Sequence, residues 1–113
     1  FIIMSIMKNI NMSEVLTLSS QTEYQKGQIV SKTLIQNDAI SLTLFAFDKD
    51  EEISTHESGG DALVLCLDGM GKIVIDGKEY ILHKDESIVM PAGHPHSVSA
   101  VEPFKMMLTV VFK

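Results

Sequence analysis

From Gly27 onward the chain alternates short apolar runs with turn residues, the spacing of an all-β protein. "QIVSKTLIQ" alternates weakly and ends at Asn37-Asp38, a pair that tolerates turn conformations. In "AISLTLFAF", Ile40, Leu42 and Leu44 share one face while Ser41, Thr43 and Phe45 share the other, so one face is more apolar. "DALVLCLDG" is continuously apolar between Gly59-Gly60 and Gly69, which predicts a strand buried on both faces. "KIVID" and "KEYIL" flank Asp76-Gly77, a strong hairpin signal. "SIVMP" is a strand stopped by Pro91, and "FKMMLTVVF" closes the chain with residues suited to a last strand. A weak helical signal is confined to residues 12–25, where Ser13 is a candidate cap before Val15 and Leu16. Short strands at roughly ten-residue intervals predict a sandwich or barrel, and the absence of helix–strand alternation argues against a parallel α/β sheet.

A chain of 113 residues is expected to form one domain. The pattern divides it into an N-terminal extension, residues 1–26, and a barrel domain, residues 27–113. The extension is read as an edge strand or a short helical turn. Its opening "FIIMSIMKNINM" is unlike a secretory leader, because no positive charge precedes the apolar run and no small-residue cleavage site follows. It is also shorter than the roughly 20 apolar residues that span a bilayer. It is expected to be either an upstream extension or a strand that packs on a partner subunit, and the expected compartment is the cytoplasm.

Charge narrows the partners. Nine Lys+Arg stand against fifteen Asp+Glu, a formal net charge of −6, and no basic cluster is present. Nucleic acid and an anionic membrane surface are therefore not expected partners. Cys66 is the single cysteine, so no intrachain disulfide forms, and its apolar neighbours suggest a small inert core residue rather than a nucleophile.

Candidate chemistry rests on the four histidines. His83, beside Lys84 and Asp85, reads as a surface residue at a strand end. His56, His94 and His96 fall where strands meet turns, the places that line a barrel mouth. "PAGHPH" resembles the second motif of the cupins, Pro-x-Gly-x-x-His, with Pro91, Gly93 and His96 in register. "DEEISTHESGGDALVLCLDG" resembles the first motif in outline, from His56 to Gly69. Asp50 and Asp85 stand where both motifs usually begin with glycine, and aspartate tolerates the left-handed turn required there.

The resemblance implies a double-stranded β-helix, or jelly-roll barrel. It also implies a divalent metal, such as Fe, Mn, Ni or Zn, held by two histidines and a glutamate from the first motif and one histidine from the second. Here only His56 and His96 occupy such positions; Ser58 and Ala62 stand where a histidine and the glutamate belong. Candidate additional ligands are Asp61, if Gly59-Gly60 form a bulge that shifts the register, and His94, if it turns inward. Ala62, Val64, Cys66, Met90 and His94 are the expected pocket residues, with Met106 and Met107 as further candidate lining.

The expected function is a small-molecule-binding cupin with His56 and His96 at the mouth of an apolar pocket, a loosely held metal being compatible with it. The alternatives are a metal-dependent enzyme of dioxygenase or isomerase type and a structural dimerisation module. No catalytic residue can be named; without metal, a histidine would be the general base. A homodimer is expected from the resemblance.

Overall fold

Left-handed residues mark many of the corners of this chain. In the computed structural model, which describes residues 6–113, Asp50 (φ 68°), Asp85 (φ 71°) and the pair Asp76 (51°) and Gly77 (81°) all adopt positive φ. Among the described residues nine strands run between the corners: β1 (Ile29–Gln36), β2 (Ile40–Phe47), β3 (Glu52–His56), β4 (Asp61–Asp68), β5 (Met70–Ile75), β6 (Lys78–His83), β7 (Ser87–Met90), β8 (His96–Ala100) and β9 (Phe104–Val111). Asp76-Gly77 closes the β5–β6 hairpin, pairing Ile75 with Lys78. At the β1–β2 corner the Asn37 side chain accepts the N–H groups of Ala39 (2.9 Å) and Ile40 (3.0 Å).

The strands form two antiparallel sheets, one in the order β1-β2-β9-β4-β7 and the other β3-β8-β5-β6. This is the all-β barrel expected from the pattern. The sheets close on a core in which Phe47, Val64, Cys66, Ile73, Phe104 and Met106 are fully buried. Each such aliphatic or aromatic side chain is worth roughly 1.5–3 kcal/mol on burial. Gly71 lets the sheets approach: a Cβ there would lie 2.6 Å from the Phe104 ring.

The five-stranded sheet is apolar on both faces. Ser41, Thr43, Phe45 and Phe47 of β2 pair with Val110, Leu108, Met106 and Phe104 of β9 on the inner face. The more apolar set, Ile40, Leu42 and Leu44, therefore faces out. Leu44 and Ala46 are nonetheless fully buried, although they lie apart from the core cluster.

The N-terminal segment crosses this side. Lys8 N–H donates to the Leu34 carbonyl (2.8 Å) and Asn9 Nδ2 to that of Thr33 (2.8 Å). Tyr24 Oη donates to Asp68 (2.6 Å), and Lys105 Nζ donates to the Ser19 carbonyl (2.6 Å) while sitting 4.9 Å from the Tyr24 ring centre. Burial and the neighbouring Asp68 carboxylate push the Tyr24 hydroxyl well above its ordinary pKa.

No strand forms over residues 6–26, and the sole helical element there is a 3-10 turn, Leu18–Ser20. Ser13 does not cap it: its φ of 55° is not the extended conformation of a cap, and Thr17 precedes the turn instead. The reading of residues 1–5 lies outside the described residues. No helix among the described residues is long and apolar enough to cross a membrane.

Candidate functional site

A cavity of about 170 Å³ opens between the sheets, lined by Phe45, Ile53, Ala62, Met90, Val98, Met106, Leu108 and Val110, with His56, Ser58 and His96 as its polar wall. His96 begins β8 and lies inward with Val98 and Ala100, only 2% exposed. His56 ends β3. Its Cα pairs with that of His96, but the register shifts between Ile53 and His56, where three steps along β3 match two along β8. That bulge decides the site. Plain alternation from Ile53 would turn His56 outward, whereas the extra residue lets both line the cavity. The imidazoles meet edge to face, with centroids 4.4 Å apart and planes at 68°.

Each ring is oriented by its own backbone. His56 Nδ1–H donates to the Ser54 carbonyl (2.8 Å) and His96 Nδ1–H to the His94 carbonyl (3.0 Å). A carbonyl can only accept, so Nδ1 carries the proton and Nε2 of the neutral ring presents a lone pair. No buried side-chain nitrogen or oxygen among the described residues lacks a partner, so the unpaired Nε2 of His96 is open to the cavity. Burial holds the His96 pKa below its ordinary value, and His56 pushes in the same direction.

The candidate additional ligands are engaged elsewhere. His94 is half exposed on the Pro91–Pro95 turn, its Nδ1 2.6 Å from Asp76 Oδ2. What it contributes to the site is its carbonyl. Asp61 stays on the outer side of β4, because the ladder with β9 continues from Asp61 to Cys66 without a shift, so Gly59-Gly60 do not move it inward. Its Oδ1 accepts the Ala92 N–H (2.9 Å), while the Ser58 carbonyl accepts that of Gly93 (3.0 Å), fastening the turn beside the mouth. Ala62 and Met90 line the cavity; Val64 and Cys66 face inward but lie in the core beyond it. Met106 lines the cavity and Met107 faces out. Burial pushes the Cys66 thiol up to about 11, which keeps it protonated and inert at neutral pH. His83 is exposed beside Glu86 (3.1 Å).

Pattern reasoning missed Phe45, Ile53, Val98, Leu108 and Val110 as lining residues. Period-two alternation identifies inward sets, but only pairing between distant strands shows which members surround a gap.

Residues 43–112 match the family described as Cupin domain, well over half of the chain. The chain is a cupin. Among solved structures it is similar to a conserved protein of unknown function from Streptococcus pyogenes, 42% identical, with a TM-score of 0.95, covering 97% of this chain and 96% of that one. A cupin superfamily protein from Desulfitobacterium hafniense is 29% identical with a TM-score of 0.91, covering 96% and 100%. A cupin 2 conserved barrel domain protein from Leptotrichia buccalis is 45% identical with a TM-score of 0.83, covering 85% of this chain and 47% of that one. No curated protein matches.

Cupins often hold a metal, and the residues of this cupin can be tested against one. Ser58 lines the cavity with a hydroxyl and Ala62 with a methyl, at the positions where the family pattern has a histidine and a glutamate. Among the described residues no three His, Cys, Asp or Glu side chains converge. Two imidazoles fall short of the three protein ligands that a stable transition-metal centre requires, so this donor set does not fit a resident metal.

Proposed function

We propose that this cupin binds a small organic molecule in its barrel cavity, with His56 and His96 at the mouth and without a resident metal centre. One observation carries the reading: an apolar hollow of about 170 Å³ whose polar groups converge at one side. Such a site buries a ligand's body and fixes its orientation with a few directed contacts. His94 belongs to the rim in this reading, and the cytoplasm is the compartment we propose.

We also propose a homodimer, formed through the outer face of the five-stranded sheet. Leu42, Thr109, Leu63 and Val89 align there across four strands. Leu63, Val89, Val111 and Phe112 remain 39%, 52%, 47% and 44% exposed. This row carries no charge, so a second copy can cover it without stripping the hydration from an ion.

Metal analysis of the purified protein tests the first proposal. We expect less than about a tenth of a metal ion per chain and no stoichiometric uptake on titration, because two imidazoles hold metal only weakly. Stoichiometric Fe, Mn, Ni or Zn, lost in both His56→Ala and His96→Ala, would overturn it in favour of a metal-dependent enzyme.

A further inference from the structure

The cavity also constrains the chemistry of its occupant, given the reading of it as a ligand site. Among the described residues its lining contains no lysine, arginine, aspartate or glutamate. A carboxylate would lose its hydration without gaining the fixed counter-charge of a lysine or arginine, and an ammonium would find no carboxylate. Neutral ligands are left.

The polar wall then sets the hydrogen-bond sense. Both imidazoles spend Nδ1–H on a backbone carbonyl, so each offers its Nε2 as an acceptor. Ser58 Oγ already accepts the Gly60 N–H at 3.3 Å, and its own proton is free to donate. A ligand that only accepts would meet one donor and two lone pairs. A ligand that donates meets complementary groups, and burial keeps His96 in the neutral, accepting form.

Size completes the description. Cavities of roughly 150 Å³ lined by apolar side chains accommodate benzene. Here about 170 Å³ leaves room for a ring and one substituent. Phe45, Met90 and Met106 offer an aromatic ring and two thioethers, groups that pack well against an aromatic ligand.

We infer that the cavity takes a neutral, single-ring molecule carrying a hydroxyl donor, the class of phenol. Its hydroxyl donates to the histidine pair, and its ring lies among Phe45, Met90 and Met106.

Methyl NMR on protein labelled at methionine tests this, with Met90 and Met106 reporting from the wall and Met107 from the outer face. Phenol, benzene and benzoate are the probes. Phenol is expected to shift the two wall methyls and to bind about fivefold more tightly than benzene, the worth of one net hydrogen bond. Benzoate is expected to be at least about tenfold weaker than phenol, because its charge is unpaired in the cavity. In His96→Leu, or in the more exposed His56→Leu should the first not fold, phenol should fall toward the affinity of benzene.

Equal binding of phenol and benzene would overturn the hydroxyl assignment while leaving the cavity as a binding site. Benzoate binding more tightly than phenol would overturn the neutral class. If none of the probes moves the wall methyls at about 10 mM, above the millimolar range of weak ligands, the binding-site reading falls as well.

Discussion

The two faces of the five-stranded sheet are built from similar residues and have different fates. On the inner face, Phe45, Met106, Leu108 and Val110 meet the second sheet and enclose the cavity. On the outer face, Leu42, Met107, Leu63 and Val89 meet no second sheet. Among the described residues, the N-terminal segment is tied to this sheet at Asp68 and Lys105 through Tyr24 and Ser19, and at Thr33 and Leu34 of β1 through Asn9 and Lys8, while Leu63 and Val89 stay exposed. Apolar character alone therefore does not mark a binding site. What separates the faces is a second layer that leaves a gap on one side and a bare surface on the other.

Adjacent methionines sharpen the contrast. Met106 is completely buried and faces in, so Met106→Ala should cost about 2–5 kcal/mol in urea unfolding. Met107→Ala, on the outer face, should cost distinctly less. Equal losses would break the distinction between the faces.

Attachment of the N-terminal segment rests in part on the Tyr24 clamp. Tyr24→Phe removes a hydrogen bond to a carboxylate and should lower stability by roughly 1–2 kcal/mol, with earlier proteolysis before Gly27. Resistance to proteases equal to that of the parent would mean that the clamp does not hold the segment.

The bare surface responds differently. Leu63→Lys should leave the stability of the monomer within about 0.5 kcal/mol, yet halve the mass seen by light scattering. A parent that is already monomeric at micromolar concentration would remove the outer-face dimer.

The smallest effects are those of pH, and both come from groups that face the interior, one on each sheet. His96 has a lowered pKa in the folded protein, so on acidification the unfolded chain takes up the proton first. Its contribution is complete above about pH 6.5 and is lost as pH falls below that. Cys66 is shifted the other way, to about 11, so stability should decline as pH rises past about 9. His96→Leu should flatten the acid slope, and Cys66→Ala should reduce the alkaline one. Unchanged slopes would place the titrating groups elsewhere.

Much of this fold is legible in the chain because its corners are local. Asp76-Gly77, Asp50 and Asp85 announce left-handed turns through residue type alone, and all adopt positive φ. The inward set Ala62, Val64 and Cys66 follows from alternation. What escapes is whatever depends on a distant partner. The bulge in β3 is a mismatch in count against β8, invisible within β3 itself. The outward turn of Ile40, Leu42 and Leu44 depends on the N-terminal segment and the opposite sheet. His94 and His96 look alike in "GHPH", and they part because Asp76 draws one ring out while the carbonyl of His94 holds the other in.

Those two carbonyls, of Ser54 and His94, limit how this barrel can change. The lone pairs facing the cavity are dictated by main chain, which no substitution removes. Exchanging an apolar neighbour can enlarge or shrink the hollow but leaves the two imidazole acceptors in place. A shift from ligands that give a proton to ligands that accept one requires moving β3 or the Pro91–Pro95 turn, or losing a histidine. Ligand size should therefore drift readily among close relatives, while the sense of the hydrogen bond should persist.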